Sequence, residues 1–192
     1  MSILIDLLPN QVEVEGHRYS IKTDFRIGIL FEELMQDKSL LDREKAFMAL
    51  DLYYESIPPN LVLAVEKIQW FYRCGKQEVE SKGSGGNNKV DNIYSFEHDD
   101  DYIYAAFLTQ YGIDLQDAED LHWWKFRAMF KSLKEDNKMS KIMGYRSIKI
   151  SNDMSDEDKK HYKEMKKVYS LPDLRSEEEK EIDFHNTFSS MV

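Results

Sequence analysis

Residues 101–115, DYIYAAFLTQYGIDL, open the most informative stretch of this chain, and LHWWKFRAMFKSL (121–133) and KIMGYRSIKI (141–150) follow it. The apolar residues of these segments recur at spacings of three and four, which is the period of an amphipathic helix. The middle segment also carries two adjacent tryptophans and apolar residues on two of its faces. None of the three contains a set of residues typical of catalysis, so the stretch indicates a binding module.

The same region changes the sign of its charge abruptly. Residues 97–120 contain eight carboxylates and no Lys or Arg, for a net charge of −8, whereas residues 121–150 contain eight basic and two acidic residues, for a net charge of +6. Three roles are open for the lysines of the basic segment: a solvated face, neutralisation of the acidic segment, or docking of an acidic partner.

The composition is that of a folded globular protein. The chain has 192 residues, of which 42% are hydrophobic, enough for one or two small domains. Its formal net charge of −10 disfavours nonspecific binding to nucleic acid or anionic lipid, except through residues 121–150. One cysteine, Cys74, allows no intrachain disulfide and fits a reducing compartment. Since we find neither a signal-peptide pattern nor about 18 consecutive apolar residues, we expect a cytoplasmic protein.

A linker is predicted near the middle of the chain. Residues 81–88, SKGSGGNN, contain no apolar side chain and three of the eight glycines, the composition of a flexible connection. We predict a mainly α fold in which a hairpin and three helices form one subdomain (1–80). A flexible linker (81–92) joins it to a second helical subdomain (93–192), whose tail (176–192) is loosely packed.

The individual elements are predicted from apolar spacing and from capping residues. Alternation of apolar and polar residues predicts a small N-terminal β-hairpin, with Val12 and Val14 on one strand and Tyr19 and Ile21 on the other, packed on the helices. Before the linker, one helix is predicted with Thr23 or Asp24 as its cap and Ile27, Leu30, Phe31 and Leu34 on its apolar face; a second runs from Asp42 to Glu55, and a third follows Pro58-Pro59 and stops at Gly75. After the linker, one helix is capped by Asp99 or Asp100 and ended by Gly112, and another runs from Leu121 to Leu133. Two more, with capping boxes, begin at Ser155 and Ser176.

The two tryptophans are predicted to differ in role. Neighbouring positions on a helix point about 100° apart, so both side chains cannot enter one core layer. Trp123 shares a stripe with Phe126 and Phe130 and is predicted to be in the core, whereas Trp124 lies on the other apolar face and is predicted to contact a partner. A second core layer is the alternative for Trp124. The predicted partner-binding residues are Trp124, Lys125, Leu121, Phe184 and Phe188.

Candidate chemistry is weak. Residues 97–101, EHDDD, have the atoms to bind Mg²⁺ or Zn²⁺, which would suit a metal-dependent nuclease. Consecutive helical residues point in different directions, however, and helix capping explains these carboxylates better. Cys74 follows an aromatic run at the end of a helix and is predicted to be structural. We predict no catalytic residues, no metal and no cofactor.

Several phrases of this sequence resemble a family of small proteins from tailed bacteriophages of Gram-positive hosts and their prophages, the gene-product-fifteen family. The matching phrases are IYAAFL (103–108), YGIDL (111–115), LHWWKF (121–126), GYR (144–146) and, further upstream, WFYRCG (70–75). The resemblance implies a tail-assembly chaperone, encoded between the tail-tube and tape-measure genes, with no catalytic signature.

Function is therefore expected to be noncatalytic binding of tape-measure or tail-tube protein in the host cytoplasm, by a protein absent from the finished virion. Further copies of the chain are a second class of partner. One alternative is a structural tail or connector subunit that stays in the particle. Another is a phage nucleic-acid-binding enzyme or regulator that uses residues 121–150, although the net charge disfavours it.

Overall fold

The computed structural model describes residues 2–76 and 93–172, so the predicted linker 81–92 and tail 176–192 lie outside the described residues. The fold is mainly helical with one small hairpin, as predicted. Its elements are β1 Gln11–Val14, β2 His17–Ser20, α1 Phe25–Gln36, α2 Asp42–Tyr53, α3 Leu61–Tyr72, α4 Asp100–Tyr111, α5 Trp123–Lys131, α6 Lys138–Ser147 and α7 Asp156–Val168. Within the described ranges, every helix is too short or too polar to cross a membrane.

The hairpin is confirmed, with its apolar face on the helices. Strands β1 and β2 pair antiparallel, and their two-residue turn, Glu15 and Gly16, has positive φ at both positions. Such a turn has the twist that matches a tight hairpin. Val12 and Val14 are buried on the side that contacts α3. Asn60, which caps α3, donates a hydrogen bond of 2.7 Å to the Glu15 carboxylate and ties the turn to that helix.

Helix α1 begins as predicted, and Ile27, Phe31 and Leu34 of the predicted face pack on the core. Its cap is Asp24, whose side chain accepts a hydrogen bond from the Arg26 N–H. Leu30, expected on the buried stripe, is 49% exposed, and the buried residues of α1 include Gly28 instead. The absence of a side chain at Gly28 lets the ring of Trp123 lie directly on the helix backbone. A pattern search for large apolar residues misses a face that is built around a glycine.

Helices on both sides of the predicted linker share one core. Trp123 of α5 stacks on Tyr72 of α3 with 5.3 Å between ring centroids, and Phe126 of α5 stacks on Phe25 of α1 at 5.0 Å. A single hydrophobic cluster contains residues from β1, α1, α2 and α3 together with residues from α4, α5 and α6. Two subdomains with separate cores do not describe this arrangement, because α5 supplies part of the core of the first three helices.

Helix ends follow the predicted capping residues in most places. Gly112, with φ of +65°, ends α4 in the left-handed conformation, and Gly75, with φ of +69°, follows α3. Ser155 caps α7 by accepting a hydrogen bond of 3.0 Å from the Asp158 N–H, and its hydroxyl donates to the Asp158 carboxylate at 2.7 Å. The second predicted capping box, at Ser176, lies outside the described residues.

Candidate functional site

The structure corrects the predicted partner-binding face of α5. Trp124 is only 3% exposed and Leu121 9%, so neither is available to a partner. Lys125 is exposed, and Phe184 and Phe188 lie outside the described residues. The helix is apolar on two faces because it is central, with packed neighbours on both sides.

Trp124 forms the second core layer that was the alternative reading. Its ring lies edge-on to Trp70 with centroids 5.6 Å apart and against Phe71 at 5.8 Å. A Cβ placed on Gly75 would come within 2.9 Å of the same ring. The C-terminal end of α3 and the turn after it therefore form the pocket that holds Trp124.

Both indole N–H groups also donate hydrogen bonds to backbone carbonyls at the C-terminal end of α3. The last carbonyls of a helix have no partner within the helix. The Trp123 indole N–H donates to the Tyr72 carbonyl at 2.9 Å, and the Trp124 indole N–H donates to the Phe71 carbonyl at 2.7 Å. The adjacent tryptophans thus cap a helix that lies about fifty positions earlier in the sequence, which accounts for the pair as a structural feature.

Asp99 occupies the predicted N-cap position of α4, but its carboxylate serves another purpose. It makes no capping hydrogen bond and is buried in a two-pronged ion pair with Arg146, with oxygen to nitrogen distances of 2.6 and 2.9 Å. Arg146 also donates to the backbone carbonyls of Ile93 and Tyr169. The pair therefore joins the start of α4, helix α6 and the end of α7. A search of the described residues finds no group of three or more His, Cys, Asp or Glu placed to hold a metal ion.

A polar network links the two described parts of the chain, residues 2–76 and 93–172, which are called its two halves below. Glu32 of α1 accepts hydrogen bonds from the hydroxyls of Tyr72 and Tyr94, and Arg127 of α5 donates to Tyr94 at 2.9 Å. Burial and the nearby Glu32 carboxylate raise the pKa of the Tyr72 hydroxyl, which keeps it a donor at neutral pH. Burial likewise raises the pKa of the Cys74 thiol, the opposite of what a nucleophilic cysteine requires.

The described region offers a different candidate site, a cleft of about 470 Å³ between α1, α4 and the loop after α4. We call it the α1/α4 cleft. Its lining is mainly apolar and comes from distant parts of the chain: Phe25, Ile29, Phe96, Ile103, Tyr104, Leu115 and Phe126, with Arg26, Asp100, Asp101 and Gln116 as polar members. Beneath it, Phe126 is stacked between Phe25 at 5.0 Å and Phe107 at 4.8 Å, so the floor is a rigid aromatic stack.

Arg26 holds the loop wall of the cleft in place. Its guanidinium donates to the carbonyls of Leu115, Gln116 and Ala118 at 2.7, 3.2 and 3.1 Å and pairs with the Asp24 carboxylate at 3.2 Å. Because the Asp24 carboxylate already pairs with Arg26, the Arg26 cation neutralises little of the surrounding acidic surface.

Carboxylates surround the cleft. Asp100 and Asp101 line its α4 side, and an adjoining surface that shares Arg26 and Gln116 carries Asp117, Glu119 and Asp120. On α1, Glu33 lies one turn after Ile29, on the same face of the helix. Partial burial and then the neighbouring Glu97 and Glu32 carboxylates raise the pKa of Glu33. We call these residues, 33, 97, 100, 101, 117, 119 and 120, the acidic rim.

This arrangement is suited to binding. An apolar floor rewards burial of apolar side chains, and a rim of one charge sign selects partners of the opposite sign. Sequence reasoning identified the acidic segment 97–120 but missed the cleft, because its floor is assembled from side chains that belong to different helices and loops. The charge segregation was the one available signal.

Comparison with known proteins places the chain in the class of bacteriophage proteins. It belongs to the family described as Bacteriophage Gp15 protein, whose model matches residues 4–171. The family expected from the resemblance is therefore confirmed. No curated protein and no solved structure matches the chain.

Proposed function

We propose that this protein is a noncatalytic tail-assembly chaperone, which binds the tape-measure or tail-tube protein of its phage in the host cytoplasm and leaves before the particle is complete. The observation that carries the proposal is a preformed apolar cleft with an acidic rim in a chain of a bacteriophage family. A chaperone of this kind has to cover apolar surface on a subunit that has not yet polymerised, and a rigid aromatic floor supplies such cover at little entropic cost.

Charge distribution weighs against the nucleic-acid alternative. Two of the basic residues in 121–150 are engaged inside the protein, Arg127 near Glu32 at 3.7 Å and Arg146 with Asp99. The basic surface is therefore weaker than the sequence suggests, while the acidic rim is exposed to solvent and would repel phosphates.

Co-expression tests the proposal directly. Tagged protein should capture the tape-measure or tail-tube protein of the same phage when the two are produced together, and a capsid protein of that phage serves as the control bait. Mass spectrometry of purified virions should find the chain missing. Its presence at fixed copy number would favour the structural tail subunit, and retardation of DNA at physiological salt without capture of any tail protein would favour the regulator.

A further inference from the structure

We propose that the α1/α4 cleft binds one amphipathic helix of the partner, with apolar residues on the face toward the cleft and Lys or Arg on its flanks. This inference rests on the proposed function for the identity of the partner, although the chemistry of the cleft can be tested without it. The pattern is that of a helix in a groove, in which a few apolar side chains enter pockets and flanking charges set orientation.

The floor of the cleft favours apolar anchors. Phe25, Phe96, Ile103, Leu115 and Phe126 close its floor and are each less than 9% exposed, while Ile29 and Tyr104 are partly exposed above them. They are already ordered by the core, so a ligand gains the burial of its own apolar surface without ordering the site. The cleft is lined by the first turn of α1, residues 25–29, and the first turn of α4, residues 100–104, which matches one or two side chains of Leu, Ile, Met or Phe size from one face of a helix.

Three occupants of the cleft can be compared by charge: residues 173–192 of the same chain, a second copy of the chain, and a segment of another protein. Among the residues that line the cleft and the adjoining acidic surface, Arg26 is the one Lys or Arg, and its pairing with Asp24 and the loop carbonyls uses its donors. Residues 173–192 of this chain contain six acidic and two basic residues, so the rim would repel the protein's own tail. A second copy has a net charge of −10, and two of the basic residues in its segment 121–150, Arg127 and Arg146, are already engaged in internal ion pairs. A cationic segment of another protein is the occupant that the rim attracts.

The probe is a designed 18-residue helical peptide with Leu at core positions and Lys on the flanks, labelled for fluorescence anisotropy. A peptide with Glu in place of Lys and a scrambled Leu/Lys peptide of equal charge are the controls. The full-length protein should bind the Leu/Lys helix best, with affinity that falls as salt rises. Equal binding of the ordered and scrambled peptides, or no binding of either, would overturn the proposal.

Two pairs of variants locate the binding. Asp100→Asn with Asp101→Asn should weaken binding of the Leu/Lys helix about tenfold. The matched control is Asp156→Asn with Glu157→Gln, which removes the same charge from the first turn of another helix, α7.

Ile29→Ser, at the cleft, should weaken binding by a similar factor, whereas Leu30→Ser, on the next position of the same helix and 49% exposed, should not. Thermal melts of all four variants identify any that fail to fold. Equal effects within either pair would show that the cleft is not the binding surface.

The same variants separate this inference from the proposed function. If the wild-type protein captures a tail protein in co-expression and the cleft variants capture it equally well, the chaperone function stands and the cleft assignment is wrong. If the wild-type protein captures no tail protein but binds the peptide through the cleft, the site stands and the tail partner is wrong. Concentration-dependent dimers that Ile29→Ser disperses would make a second copy the occupant and overturn the choice of a foreign helix.

Discussion

Gly28→Ala should destabilise the protein, although alanine is the better helix former. A Cβ at this position would lie 2.2, 2.3 and 2.7 Å from the Cε3, Cδ2 and Cζ3 atoms of the Trp123 ring. Carbon atoms in contact ordinarily lie about 3.5–4.0 Å apart, so the ring or the helix has to move by more than about 1 Å.

Moving the Trp123 ring away from the new methyl group would break several contacts. Its indole is fully buried, donates a hydrogen bond to the Tyr72 carbonyl and is stacked on Tyr72 and Phe126. Overpacking of a rigid core typically costs about 1–3 kcal/mol, and a clash of this depth belongs at the upper end. Alanine returns about 1 kcal/mol of helix propensity. We therefore expect a net loss of about 2 kcal/mol in the free energy of unfolding.

The matched control is Gly144→Ala in α6. No atom lies within 4 Å of the position that its Cβ would take, and its φ is not positive. This change should stabilise the protein by about 0.5–1 kcal/mol, since it gains propensity at no steric cost. Urea unfolding followed by tryptophan fluorescence measures both variants.

A double-mutant cycle attributes the cost to the ring. In a Trp123→Phe background, Gly28→Ala should cost less than in the wild type, because the phenyl ring has no counterpart of the indole Cε3 and Cζ3 atoms that block the new Cβ. If Gly28→Ala stabilises the protein as much as Gly144→Ala does, the close approach of α1 and α5 is wrong. An equal cost in both backgrounds would mean that another contact is responsible.

Three further changes test single contacts of the core and of the helix ends. Trp124→Ala should lower the free energy of unfolding by about 3–5 kcal/mol in urea titrations. A loss below about 1 kcal/mol would indicate that the Trp124 side chain is exposed and not part of the core. Arg146→Ala should lower the free energy of unfolding by about 3–5 kcal/mol, because it leaves the Asp99 carboxylate buried without its partner. Adding Asp99→Ala should recover part of that loss in the same titrations. If it recovers none, the unpaired carboxylate is not the cause. His122, whose pKa burial lowers, caps α5 as the neutral ring, so its contribution to stability is complete above about pH 6.5 and disappears as pH falls through its folded pKa. His122→Asn should therefore flatten stability against pH below about 6.5, and an unchanged slope would count against this role.

Local features of the fold could be predicted from the sequence. The hairpin follows from alternation over four residues a side, and helix starts at Asp24 and Ser155 follow from side-chain caps that act within one turn. These signals are local, so one sequence suffices. Helix ends agree to within about two residues where a glycine takes the left-handed conformation, as at Gly112.

The error about Trp124 shows what local reasoning lacks. Periodicity correctly assigned this residue to a second apolar face of α5, but it carries no information about what covers that face. The cover is the end of α3, which lies about fifty positions away and contributes a carbonyl as well as aromatic rings. The same limit applies to Asp99, where the carboxylate was expected to bind its own helix and instead meets Arg146, 47 positions later.

Binding in the α1/α4 cleft would be coupled to the packing of the two halves. One wall is α1, and the opposite wall is α4 with Leu115, so the cleft exists only when both parts of the chain share their core. A ligand of the cleft therefore binds the folded protein and not the unfolded chain, and it has to stabilise the protein by an amount that grows with its free concentration. A protein built this way must fold before the cleft can bind a ligand, and the indole hydrogen bonds to α3, together with Gly28 beneath Trp123, are among the contacts that hold α5 against the first three helices.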